Sequence, residues 1–186
     1  MNKKIIMFVY DSFAEFEIAV LLTALRATPH TLTTVSVSPD PVTTTGGLRV
    51  VADRTVADVD PAEVDAMVIP GGDPAPLLGD AGLAELIRAV HRRGSLLAAI
   101  CGGPALLGSA GVLDDARWTA SLTREDAAHV GVAGRGTQVA QPLVVDRNLV
   151  TASGSNYLGF AEEVLRHLDG VDTASPLTYF REVSLD

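Results

Sequence analysis

Leu96-Leu97-Ala98-Ala99-Ile100-Cys101-Gly102-Gly103-Pro104 is the stretch that decides the fold. Its first five residues form a continuous apolar run, of the kind found in strands buried on both faces. Two glycines then allow a sharp turn, and Pro104 favours the first turn of a helix. A buried strand, a nucleophile-capable side chain, small neighbours and a helix start describe a nucleophile elbow in its general form, with the Cys101 side chain projecting above the sheet. Close to a helix N-terminus, free N–H groups and the helix dipole are expected to favour thiolate and lower the pKa of Cys101. The same residues also fit a plainer description, in which Cys101 is a small buried hydrophobe like most free cysteines.

Outward from this stretch the chain alternates between two periodicities. Ile5 to Tyr10, Thr31 to Val37 and Val64 to Ile69 read as strands. Ile18, Leu21, Leu22 and Leu25 have helical spacing, ended by Pro29, and Leu83, Leu86, Ile87 and Val90 have it again, with Gly94 placed as a C-cap. A further helix is expected from near Pro104 to about Ala110, and a last one carries Phe160, Val164, Leu165 and Leu168 on one face. Gly46-Gly47 between two β-branched runs signals a hairpin, and strands near Gln138 to Val145 and Asn148 to Ala152 can pair through Asp146-Arg147. The expected fold class is α/β: a single-domain three-layer sandwich over residues 1–186, flavodoxin-like or amidotransferase-like, with a mostly parallel sheet and helices on both faces.

Composition narrows the function classes. The chain has 186 residues, of which 47% are hydrophobic and 20% charged, so one ordinary globular domain is expected. A formal net charge of -9 argues against nucleic acid or an anionic membrane as partner, since both require a basic face. With a single cysteine there is no intramolecular disulfide, and no oxidising compartment is implied. The N-terminal apolar run is short and interrupted by Asp11, so it reads as a strand and not a signal peptide, and no stretch approaches a membrane span. The cytoplasm is the expected location.

Two other places carry chemistry. The strand end Val68-Ile69-Pro70-Gly71-Gly72-Asp73-Pro74 is either an ordinary glycine-rich turn or a source of backbone N–H groups beside the cysteine, with Gly71, Gly72 and Gly102 as the oxyanion or substrate-binding positions. It is not a nucleotide loop, and no His/Cys cluster has metal spacing, so no cofactor and no metal are expected. Glu15-Phe16-Glu17 opens the first helix, where acidic residues complement the macrodipole whether or not they have another role.

Taken together, these stretches resemble the ThiJ/PfpI superfamily, which shares its fold with class I glutamine amidotransferase domains. The resemblance runs from Ile5 to Glu17, through Val68 to Gly72 and Ala98 to Leu107, to Asn148 to Gly154 and Phe160 to Leu165. It implies a reactive cysteine at Cys101, hydrogen-bonded to a first-helix glutamate at Glu17 whose protonated form would donate to the thiolate. It further implies oxyanion-type positions at Gly72 and Gly102 and a homodimer. On that view Glu17→Gln raises the thiol pKa.

The departures bear on function. Many members of the superfamily place a histidine directly after the cysteine or about twenty residues on; here those positions are Gly102 and Ser121, and Ser121 joins Gly71, Gly72 and Gly102 among the expected oxyanion or substrate-binding positions. The His-x-Glu pair of true glutaminases is replaced by Ser153-Gly154-Ser155-Asn156-Tyr157. His30, His91 and His167 read as solvated surface residues, and His129 falls in a loop from which it could reach the site. The branch it most resembles is a bacterial set of amidotransferase-like proteins of ill-defined activity; the isonitrile hydratase branch fits poorly at Glu17 and Gly102.

The expected function is addition of a Cys101 thiolate, assisted by Glu17, to a small electrophilic substrate such as a reactive carbonyl or an amide- or nitrile-like group, by hydrolase or by lyase/hydratase chemistry. Glutaminase and protease activity are not expected. The alternative is a redox or stress-response protein whose Cys101 is oxidised without turnover.

Overall fold

The computed structural model describes residues 2–132, 134–170 and 177, apart from the side chains at positions 124 and 129. In chain order the elements are β1 (Lys4–Phe8), α1 (Phe16–Leu25), β2 (Thr31–Ser36), β3 (Val42–Thr43), β4 (Arg49–Val50), β5 (Arg54–Thr55), β6 (Ala66–Ile69), α2 (Ala81–Arg92), β7 (Leu96–Ile100), α3 (Pro104–Ser109), β8 (Arg117–Trp118), α4 (Arg124–His129), β9 (Thr137–Gln138), β10 (Leu143–Asp146), β11 (Leu149–Ala152) and α5 (Tyr157–Asp169).

The apolar runs become the centre of a seven-stranded sheet of order β10-β11-β7-β6-β1-β2-β5. All its pairs are parallel except β10 with β11. The register sets Ile5 beside both Leu32 and Ala66, and Ala98 beside both Val68 and Val150. From β1 the chain steps one way to β2, and from β6 it steps the other way to β7. Right-handed crossovers in opposite directions put their helices on opposite faces. Accordingly α1 packs against α5 on one face, while α2 packs on β6, β7 and α3 on the other. The order reverses between β1 and β6, so a crevice opens at the carboxyl ends of these strands.

Burial follows the periodicities. Ile18, Leu21 and Leu25 of α1, Leu83, Leu86, Ile87 and Val90 of α2, and Phe160, Val164, Leu165 and Leu168 of α5 all lie in one core with the strands. Asp80 caps α2 by accepting from Leu83 N–H at 2.8 Å, and Gly94, at φ 75°, closes it with its N–H on His91 O at 2.9 Å. The hairpin forms as expected, with Val42 opposite Val50.

Several expectations need correction. The strand expected from Gln138 divides in two: Gln138 pairs with Trp118 in a small separate sheet, and the chain rejoins the main sheet only at Leu143. Pro142, between them, has no N–H to give to a ladder. His129 ends a helix instead of lying in a loop, because Thr123 and Asp126 form a reciprocal capping box that starts α4; its side chain lies outside the described residues.

Two of the other three histidines are not simply solvated. His30 is buried at its side chain, accepts from Lys3 N–H through Nδ1 at 3.2 Å and donates through Nε2 to Asp169 at 3.0 Å. His167 lies against Glu163, and the Nδ1 of His91 is buried without a hydrogen-bond partner. His30 lies on the way into β2 and His91 near the end of α2, where packing covers the ring, whereas His167 in the last turn of α5 is exposed. Phe13 is buried at 3% exposure, whereas Phe16 stands 57% exposed.

Candidate active site

Four strand ends meet in the crevice. β7 ends in Cys101, whose φ of 59° puts an L-residue in the left-handed region. That backbone is held from both sides: Cys101 N–H donates to Ala152 O at 2.9 Å, and Cys101 O accepts from Ser121 N–H at 3.0 Å. The turn carries the sulfur above the sheet, with the thiol still partly exposed.

β1 leads into α1 and brings Glu17, only 1% exposed, to the sulfur. Its Oε2 accepts from Gly71 N–H at 2.8 Å, and the carboxyl hydrogen-bonds to Cys101. The Cys101–Glu17 pair lies between two glycines. A Cβ on Gly71 would stand 2.5 Å from both Cys101 Cβ and Glu17 Oε2, and a Cβ on Gly154 would stand 2.7 Å from Glu17 Oε1 and 3.1 Å from the sulfur. Only residues without side chains leave room for the pair.

The remaining expected positions also converge. Ser121 hydrogen-bonds to the sulfur, and its Oγ accepts from Gly154 N–H at 2.8 Å. The Gly102 N–H reaches the sulfur as well. Gly72, at φ 124°, forms an isolated bridge to Phe13 and packs so closely on Ser12 O and Phe13 that no side chain fits. Gly102 in turn lies against Gly72 O. Two residues at the site escaped the sequence reading. Gly154 stood within a quoted stretch without an assigned role, and Tyr10, read only as the end of a strand, donates its hydroxyl to Gly71 O at 2.8 Å and Pro70 O at 3.0 Å.

The electrostatics differ from the expectation. Burial, then the hydrogen bond and charge of Glu17, push the Cys101 thiol up to about 11, against smaller lowering contributions from Ser121 and Gly102. Burial also raises Glu17, against the hydrogen bonds from Cys101 and Gly71. The helix that was expected to lower the thiol begins three residues further on and is short, and the desolvation of a buried anion outweighs it. Two neighbouring acids that share a site give up their protons in two well-separated steps belonging to the pair. The hydrogen bond and charge of Glu17 oppose ionisation of the sulfur. Glu17→Gln is therefore expected to lower the thiol pKa, the reverse of the sequence expectation, because it removes the neighbouring charge.

Among the described residues no histidine acts on the sulfur, and no cluster of His, Cys, Asp and Glu has the makings of a metal site. No helix among them is long and apolar enough to cross a membrane.

Comparison with known proteins agrees with this architecture. The chain is 32% identical over 174 residues to protein/nucleic acid deglycase 2 of Escherichia coli, covering 90% of this chain and 99% of that one. It is 29% identical over 183 residues to an uncharacterized protease of Bacillus subtilis, covering 90% and 84%. Among solved structures, a DJ-1 superfamily protein from Agrobacterium tumefaciens superposes with a TM-score of 0.81 at 32% identity, covering 91% and 92%. The family model described as the DJ-1/PfpI family matches residues 3–167, and the chain belongs to that family.

Proposed function

We propose that the chain is a cysteine-dependent enzyme that adds the Cys101 sulfur to a small electrophilic substrate, with a reactive carbonyl compound as the leading class. The observation that carries this reading is the buried Glu17 carboxyl hydrogen-bonded to Cys101 at the strand-end turn. As the C–S bond forms, the S–H proton passes to Glu17 and the carbonyl electron pair moves to oxygen. That oxygen develops negative charge where the Gly72 and Gly102 N–H groups can meet it. The Glu17 carboxylic acid then protonates that oxygen; for an α-oxoaldehyde, its carboxylate next takes the C–H proton and returns it to the neighbouring carbonyl carbon, leaving a thioester that water hydrolyses to a 2-hydroxy acid and the free thiol. The net outcome is hydration, isomerisation or hydrolysis, according to where the proton and any water are delivered.

Generating the thiolate only when substrate is present suits addition to carbonyls and nitrile-like carbons. It suits amide hydrolysis less, because a poor amine leaving group needs a second acid, and among the described residues no histidine acts on this sulfur. The E. coli relative's name, deglycase, points to carbonyl adducts in that protein and supports the same class here. We further place the chain in the cytoplasm as a homodimer with no nucleic-acid or membrane partner. Phe16, Leu48 and Val51, each more than half exposed, supply the apolar surface for the dimer.

The test is turnover of α-oxoaldehydes and their hemithioacetals, with small amides and nitriles alongside, by the wild-type chain and by Cys101→Ser. Turnover confined to the wild type is expected, with both proteins folded. Turnover that persists in Cys101→Ser, or its absence for every class, would overturn the reading.

A further inference from the structure

Tyr10 ends the first strand run and is buried, and its hydroxyl points at the turn after β6 and at no other side chain. The two carbonyls it meets belong to consecutive peptide units. Pro70 C=O shares a planar amide with Gly71 N–H, and Gly71 C=O shares one with Gly72 N–H. The first of these N–H groups donates to Glu17 at 2.8 Å. The second is the donor assigned above to the developing oxyanion.

We propose that Tyr10 is a positioning residue: its single hydroxyl, shared between Pro70 O and Gly71 O, aims Gly71 N–H at Glu17 and Gly72 N–H at the oxyanion position. The part concerning Gly72 rests on the function proposed above; the part concerning Gly71 does not.

The turn needs such a hold. Gly71 and Gly72 are required because no Cβ fits at either, yet a Gly-Gly pair has more backbone freedom than any other. Ala14 N–H, at 2.9 Å from Gly71 O, pins one of the two units, and the Pro70 carbonyl has Tyr10. A donor on the carbonyl also polarises the amide and strengthens its N–H as a donor, so the chain from Tyr10 O–H through the Pro70–Gly71 amide to Glu17 is cooperative. Burial raises the Tyr10 phenol, with the charges of Glu17, Cys101 and Asp73 adding to it, so the hydroxyl keeps its proton throughout the working range.

The experiment uses Tyr10→Phe, which removes the hydroxyl and keeps the ring. A weaker N–H on Glu17 destabilises its carboxylate and shifts the shared proton from sulfur to Glu17. Alkylation of Cys101 by iodoacetamide at pH 7 is expected to rise about threefold. At the same time kcat falls about tenfold with KM little changed, the size expected for one buried hydrogen bond. In a Glu17→Gln background, where no carboxylate takes the proton, Tyr10→Phe leaves the alkylation rate unchanged. An equal rise in both backgrounds would mean that the hydroxyl only limits access, and the proposal would fail; no change in either would end it as well. If the wild type turns over none of the substrates, the proposed function fails while the alkylation comparison still decides the Gly71 part. Should Tyr10→Phe fold poorly, 3-fluorotyrosine at position 10, a stronger donor of the same shape, is expected to move alkylation the opposite way; an unchanged rate there would count against the proposal.

Discussion

Cys101 and Arg147 have nearly the same backbone, φ 59° and φ 57°, and almost nothing else in common. Arg147 sits in the two-residue turn between β10 and β11, with its side chain in solvent touching Asp146 at 3.2 Å and Asp115 O at 3.1 Å. Cys101 sits at the end of a wholly buried strand, with its N–H and C=O both engaged and glycines on two sides of its side chain. A left-handed L-residue costs about 1–2 kcal/mol in either place. At the turn glycine could remove that cost. At the elbow the surroundings over-determine the conformation, and it lifts the sulfur into the crevice beside Glu17. Strain is informative where packing and hydrogen bonds enforce it, and much less so where solvent tolerates it.

The surest way to break the elbow is to fill the space beside it. Gly71 does not have positive φ, so Gly71→Ala meets no backbone obstacle; its methyl meets Cys101 Cβ and Glu17 Oε2 at 2.5 Å. Overpacking of this kind is expected to cost about 2 kcal/mol of stability in urea unfolding. Because the displaced groups are the pair itself, turnover should drop by more than ~100-fold. A variant of normal stability and activity would mean that the pair is loosely held.

Glu17→Gln acts on the same pair without changing its shape. Midpoints of iodoacetamide alkylation against pH should fall from about 11 toward the ordinary thiol range, while turnover falls about 100-fold for want of a base. Stability should move the other way. Burial raises Glu17, so the folded chain keeps this proton to higher pH than the unfolded chain does. Its ionisation therefore weighs against folding as pH rises through and above that window, and not below the ordinary carboxyl range. Thermal unfolding of Glu17→Gln should show a Tm gain at pH 7 that disappears at low pH. A thiol midpoint that rises instead would restore the thiolate-first arrangement that the family resemblance implies.

Much of this was legible before the structure because it depends on local pattern. Leu96 to Ile100 could hardly be anything but a buried strand, and Gly102-Gly103-Pro104 fixed where it had to turn. Gly72 was one of two open readings of the glycine-rich strand end, whereas Ser121 could be placed near the sulfur only through the resemblance, since nothing local ties position 121 to position 101. The direction of the Cys101 shift was not legible, because it depends on how completely Glu17 and the sulfur are desolvated, which no spacing encodes. Tyr10 was missed for a related reason: a tyrosine closing an apolar run looks like core, and its hydroxyl has meaning only once β6 lies beside β1. His30 and His91 misled in the opposite sense, since polar rings look solvated until packing covers them.

Arg147 supplies the smallest effect and the control for the rest. Arg147→Gly removes the left-handed penalty, about 1 kcal/mol, and gives up an exposed ion pair worth less than that, together with some unfolded-state entropy. The net gain should be about 0.5 kcal/mol, seen as a rise in Tm of roughly 1–2 °C. Cys101 alkylation and turnover should not change, because the turn lies at the far end of β11 from Ala152, whose carbonyl holds Cys101 N–H. A loss of more than about 1 kcal/mol would mean that the Arg147 contacts to Asp146 and Asp115 determine the turn as firmly as the crevice determines the elbow. The two left-handed residues would then differ in what they present to solvent, and not in how tightly the fold holds them.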